Sequence, residues 1–171
     1  ENAIPILVHV LEDVKQEPMV RHEAAEALGA IGSSTAIPVL EKYAKDNVKE
    51  VAETCELALG RIKWLDENKN LSSLGENPYL SVDPTPPAVT KDVSELKKTL
   101  LDENASLFDR YRAMFSLRNL RSKEAALALS SALTAGSALF RHEIAFVLGQ
   151  LQDEVSIPYL RSSLEDANEN E

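Results

Sequence analysis

The sequence is poor in cysteine and has no long hydrophobic run. Cys55 is the only cysteine among 171 residues, so no intrachain disulfide can form, which indicates a reducing compartment. We expect Cys55 itself to lie in the core, because its neighbours follow an apolar helical spacing. No apolar run approaches the roughly 20 residues of a membrane-spanning helix, and we recognise no signal peptide. These features predict a cytoplasmic location and no membrane partner.

Aromatic residues are also scarce, at 5% of the chain, whereas hydrophobic residues in total reach 44%. Alanine and leucine therefore supply most of the apolar content, and both are among the best helix formers. Runs of β-branched residues, which would favour strands, are absent. The composition predicts an all-α fold.

Basic residues are fewer than acidic ones, 18 against 28, which gives a net charge of −10. Such a surface repels a phosphate backbone, so we expect no nucleic-acid partner. A basic protein partner or a cationic substrate would suit this field. The alternative is that the acidity only keeps the protein soluble.

What the sequence does contain is an internal repeat. Ala27-Leu28-Gly29 recurs as Ala58-Leu59-Gly60, 31 residues later, and Ile-Pro pairs open several units. Each unit is predicted to be a helix pair whose first helix begins at the Ile-Pro, and Gly32 is expected to end a second helix. Such pairs stack, which predicts a HEAT-like helical-repeat solenoid. We place repeat blocks at 1–62 and 94–171, joined by an irregular Pro- and Asn-rich linker at 63–93.

A second relation links the two blocks, since a shift of 120 residues superposes Arg21-His22-Glu23 on Arg141-His142-Glu143. The other two units carry Glu53-Thr54 and Tyr111-Arg112 there, so the repeat itself does not require His-Glu. Neighbouring helical residues point about 100° apart, and an imidazole and a carboxylate from each helix would suit iron or manganese and, less selectively, zinc. The alternative is a solvated helix on which Arg21 pairs with a carboxylate. His9 is expected to be a core or edge residue.

Three stretches, 17–32, 77–84 and 139–150, resemble sequence signatures of the deoxyhypusine hydroxylases. The resemblance implies a HEAT-repeat, non-haem di-iron monooxygenase that hydroxylates the deoxyhypusine side chain of a translation factor. Members of that family carry four His-Glu motifs around two irons. This sequence has two, which resemble the second and third motifs, so we expect a central fragment of a longer protein.

The resemblance also implies roles for individual residues. His22, Glu23 and His142 would ligate iron, and Glu143 would face the cationic amine of the substrate as a catalytic residue and serve less directly as a ligand. With two motifs alone, we expect weak iron binding, no hydroxylation, and self-association through uncapped repeat ends. The alternative functions are a non-catalytic HEAT-repeat scaffold and a bilin-lyase-like repeat protein.

Overall fold

The computed structural model describes residues 2–68 and 77–169, and these ranges contain nine α-helices and no strand. The helices are α1 (Ile4–Glu12), α2 (Pro18–Ile31), α3 (Ile37–Tyr43), α4 (Lys49–Glu67), α5 (Val93–Leu101), α6 (Leu107–Leu120), α7 (Lys123–Ser130), α8 (Ala138–Leu151) and α9 (Ile157–Leu164). Short 3₁₀ turns precede α3 and α9. The predicted all-α fold is confirmed.

No helix among the described residues is both long and apolar enough to cross a membrane.

The chain divides into two compact units. Unit 1 contains residues 2–68 and 80–86 of the described ranges. In it α1 packs on α2, α3 packs on α4, and the two pairs stack through α2 and α4. Gly29 is the point of closest approach, since a Cβ built there would lie 2.8 Å from the Ala58 Cβ atom. Two successive helix pairs therefore share one core, which contains Cys55, fully buried as expected.

The ends of these helices follow the local sequence. α1, α3 and α9 each have proline in the first turn, where its missing N–H costs no hydrogen bond. α2 ends at Gly32, whose φ of 71° lies in the left-handed region that glycine adopts without a steric penalty. Both features are as the sequence predicts.

Unit 2 contains residues 77–79 and 87–169. α5 packs on α6, α7 packs on α8, and α6 contacts both helices of the second pair. Arg110 of α6 donates its Nε–H to the Leu100 carbonyl at 3.0 Å, and Arg21 of α2 makes the same bond to the Leu11 carbonyl at 2.9 Å in unit 1. An arginine that ties the second helix of a pair to the end of the first is thus part of the repeat scaffold.

The segment between the repeat blocks differs from the predicted linker at 63–93. α4 continues to Glu67, because Trp64 and Leu65 are half-buried and extend its apolar face. Residues 77–92 contain no helix or strand. Arg118, which is fully buried on α6, donates to the Asn77 side chain at 3.2 Å and stacks on the Tyr79 ring. Part of the segment is thereby held to unit 2, while residues 80–86 belong to unit 1.

Candidate metal-ligating residues

His22 lies in the first half of α2 and is only 4% exposed to solvent. Its Nδ1 atom is 2.5 Å from the Thr54 hydroxyl oxygen of α4. That hydroxyl also lies 2.8 Å from the Glu50 carbonyl oxygen, one turn earlier in α4. The imidazole is therefore held between the stacked helices α2 and α4, with a polar partner for its Nδ1 atom.

Two carboxylates of the same helix lie near the other ring nitrogen. The Nε2 atom of His22 is 3.8 Å from Glu26 Oε2, one turn further on, and 4.0 Å from Glu23 Oε1. The Glu23 side chain is 71% exposed and the Glu26 side chain 33% exposed. Desolvation raises the pKa of the Glu26 carboxyl above its usual range, and the charges of Glu23 and Asp83 raise it further. The Nε2 side of His22 thus faces a concentration of negative charge.

Asp83, from the irregular segment, is a third carboxylate, after Glu23 and Glu26, that lies near enough to Glu26 to affect its pKa. Its charge raises the pKa of Arg61, although the larger effect on Arg61 is desolvation, which lowers that pKa. The Arg61 residue is 8% exposed, and its Nε atom is buried without a hydrogen-bond partner. Asp83 therefore lies close enough to Glu26 and to Arg61 for its charge to affect the pKa of both groups.

In unit 2 the second His-Glu pair lies in the first half of α8. His142 is exposed and Glu143 is half-buried. His142 lines a groove of about 490 Å³ between α8 and the segment that includes α9, whereas Glu143 is not among the residues that line it. The two side chains leave the helix in different directions, as expected for neighbours about 100° apart.

The arginine that precedes each His-Glu pair forms an ion pair with a carboxylate. Arg21 forms an ion pair with Asp46 at 2.5 Å, and this hydrogen bond keeps the pKa of the Asp46 carboxyl below its usual range. Arg141 donates from Nε to both carboxylate oxygens of Glu169, each at 2.9 Å. Arg21 therefore does pair with a carboxylate, as the alternative interpretation expected, but His22 beside it is buried and not solvated.

Sequence reasoning identified His22 and Glu23 but missed Glu26, Thr54 and Asp83. Glu26 could have been found, because a residue four positions after a helical histidine shares its face. Thr54 and Asp83 gave no comparable signal, since they reach unit 1 from α4 and from the irregular segment. His9, expected in the core or at its edge, is exposed on α1.

Comparison with known families identifies the repeat type. Residues 1–60 match the HEAT repeat family, and residues 109–134 and 140–166 match the PBS lyase HEAT-like repeat. The second description names a kind of repeat, and its two matches in unit 2 cover α6 with α7 and α8 with α9. The predicted HEAT-like repeats are confirmed.

Curated relatives that match nearly the whole chain are named deoxyhypusine hydroxylase. The proteins of Drosophila melanogaster and Danio rerio are each 59% identical over 99% of this chain, which covers 56% of each relative. The Homo sapiens protein is 56% identical over 98% of this chain and 55% of its own length.

A solved structure of human deoxyhypusine hydroxylase, in complex with glycerol, covers 99% of this chain with a TM-score of 0.94 and 56% sequence identity. This chain covers 58% of that one. The chain thus spans about half the length of the relatives it matches. It is a HEAT-repeat relative of the deoxyhypusine hydroxylases, as the resemblance of its His-Glu helices predicted.

Proposed function

We propose that the chain forms part of an iron-dependent monooxygenase that hydroxylates the deoxyhypusine side chain of a translation factor. The observation that carries the proposal is the environment of His22, whose Nε2 atom faces the carboxylates of Glu23 and Glu26 within 4.0 Å. The relatives named deoxyhypusine hydroxylase support this reaction over the scaffold and bilin-lyase alternatives.

The donor atoms fit iron. Imidazole nitrogen and carboxylate oxygen are the donors of non-haem iron sites, and a desolvated carboxylate such as that of Glu26 would be stabilised by a nearby cation. His22 and Glu23 in unit 1, and His142 and Glu143 in unit 2, are the proposed ligands. The iron would supply the activation of dioxygen.

The protein's own groups would bind and orient the substrate. Glu143 is half-buried, so its carboxylate could meet the cationic amine of deoxyhypusine away from bulk water, where such a pair is stronger. The net charge of −10 would attract a basic carrier protein over longer distances. A cytoplasmic location is part of the proposal, because translation factors act there.

Metal binding tests the first half of the proposal. We expect the chain to bind Fe²⁺ weakly under anaerobic conditions, measured by equilibrium dialysis followed by elemental analysis. His22→Ala and Glu23→Gln should each lower the bound iron, whereas His9→Ala, an exposed histidine of α1, should not. Equal iron content in His22→Ala and His9→Ala would refute the assignment.

Substrate binding tests the second half. The translation factor carrying deoxyhypusine should bind more tightly than the same factor with unmodified lysine, and Glu143→Gln should reduce that difference. We expect no hydroxylation by a monomer of these 171 residues, because it provides only two His-Glu pairs. Monomer and dimer fractions should be assayed separately by mass spectrometry of the factor. Equal affinity for the two forms of the factor would contradict the proposed substrate.

A further inference from the structure

We propose that Thr54 is a positioning residue, which fixes the tautomer of His22 and so presents the Nε2 lone pair to the metal. The inference rests on the proposed role of His22 as a ligand. It begins from two short contacts of one hydroxyl group, 2.5 Å to His22 Nδ1 and 2.8 Å to the Glu50 carbonyl oxygen.

The hydroxyl has one proton for two neighbours. A carbonyl oxygen only accepts hydrogen bonds, so the Thr54 hydroxyl must donate its proton to Glu50. The hydroxyl oxygen then accepts, and the donor is the Nδ1–H group of His22. Both residues are almost completely buried, at 3% exposure for Thr54 and 4% for His22, so bulk water does not offer a competing partner.

The position of the proton on Nδ1 determines the chemistry of the opposite nitrogen. A neutral imidazole carries one N–H, so Nε2 bears the lone pair, and this is the form in which a histidine ligates a metal. Nε2 is the atom that faces Glu23 and Glu26, at 4.0 and 3.8 Å. The imidazole is therefore oriented with its donor lone pair on the carboxylate side.

A hydrogen bond from a threonine hydroxyl group to the carbonyl oxygen four residues earlier is common in helices and by itself indicates no function. What distinguishes Thr54 is its second partner on another helix. In the 31-residue repeat Thr54 occupies the position that Glu23 has in the preceding unit. The unit that lacks His-Glu thus supports the His-Glu of its neighbour.

The first test measures the tautomer directly in the metal-free, ¹⁵N-labelled chain. Ring nitrogen correlation spectra at about pH 8, above the usual histidine pKa of about 6.5, distinguish Nδ1–H from Nε2–H. The chain has three histidines, so His9→Ala and His142→Ala identify the His22 signals. We expect Nδ1–H in the unaltered chain and in Thr54→Ser, and loss of this preference in Thr54→Val. An Nε2–H tautomer in the unaltered chain would overturn the proposal.

The second test measures the affinity for Co²⁺, whose visible absorption reports its ligands. Thr54→Val keeps the side-chain shape but removes the hydroxyl, and we expect roughly 10- to 100-fold weaker binding with an altered spectrum. Thr54→Ser should bind as the unaltered chain does. If a folded Thr54→Val chain binds Co²⁺ normally, or serine fails to restore binding, the positioning role is refuted.

The two tests separate this inference from the proposed function. If the unaltered chain binds no metal, the proposed function fails and the metal part of the inference with it, while the ring spectra still decide the tautomer. If metal binds to the unaltered chain but Thr54→Val and Thr54→Ser weaken its binding to the same extent, the proposed function stands and the inference is wrong.

Discussion

Gly29 and Gly149 occupy equivalent positions in the repeat, 120 residues apart, yet substitution by alanine should have opposite effects. A Cβ atom at Gly29 would lie 2.8 Å from the Ala58 Cβ atom and 2.9 Å from its Cα atom. Neither Ala58 atom can rotate away, so α2 and α4 would have to separate. At Gly149 a Cβ atom would meet nothing within 4 Å.

The magnitudes follow from two opposing terms. Overpacking a core typically costs about 1–3 kcal/mol, and replacing a helical glycine by alanine contributes roughly 0.5–1 kcal/mol of stability. Gly29→Ala should therefore lower the free energy of unfolding of unit 1 by about 1–2 kcal/mol. Gly149→Ala should raise that of unit 2 by about 0.5–1 kcal/mol.

The assay exploits the single tryptophan, Trp64, which lies in α4 of unit 1. Because two units can unfold separately, tryptophan fluorescence in a urea titration follows unit 1, and circular dichroism follows both. Adding Ala58→Gly to Gly29→Ala should recover much of the lost stability, because it removes the opposing methyl group. An unchanged fluorescence midpoint for Gly29→Ala would refute the reasoning.

Three further predictions concern other buried groups. Asp46→Asn should destabilise unit 1 at pH 7, as urea midpoints followed by Trp64 fluorescence would show. Because the pKa of Asp46 is lowered in the folded state, the difference in stability from the unaltered chain should fade as pH falls below about 4. A difference that persists at pH 2 would contradict this. Burial raises the pKa of the Cys55 thiol to about 12, so a thiol reagent at pH 8 should modify it only in denaturant, as mass spectrometry would show. Rapid labelling of the native chain would refute its burial. Arg118→Ala should destabilise unit 2 by roughly 2–4 kcal/mol in urea titrations followed by circular dichroism, since it removes a fully buried side chain together with its hydrogen bonds to half-buried partners. A loss below about 1 kcal/mol would show that its contacts contribute little.

The sequence was sufficient for the features that depend on local chemistry. Proline in the first turn placed the starts of α1, α3 and α9, and Gly32 placed the end of α2. The comparison of units that have His-Glu with units that lack it singled out the helices α2 and α8. These signals lie within a few residues of the feature that they predict, so periodicity and residue type reveal them.

Other features depend on which distant residues meet, and these were not predictable. The hydrogen bond from His22 joins residues 32 positions apart. The sequence of α4 gives no indication of the proposed role of Thr54, because the hydrogen bond from its hydroxyl group to the Glu50 carbonyl oxygen is common in helices. The Pro- and Asn-rich segment likewise gave no sign that Arg118 would bind Asn77, 41 positions away. Period and composition describe single elements, whereas these contacts depend on how helices stack.

The course of the irregular segment has a practical consequence for anyone dividing the protein into parts. Residues 77–79 belong to unit 2, residues 80–86 to unit 1, and the chain from 87 onward to unit 2 again. A fragment that stops at the end of α4 would lack 80–86, including the fully buried Thr85, and one that starts at 87 would lack the Asn77 and Tyr79 partners of Arg118. No single cleavage point yields both units intact. Deletion series and separately expressed halves would therefore need overlapping ends, or a permuted chain order, before the loss of a property could be attributed to one half.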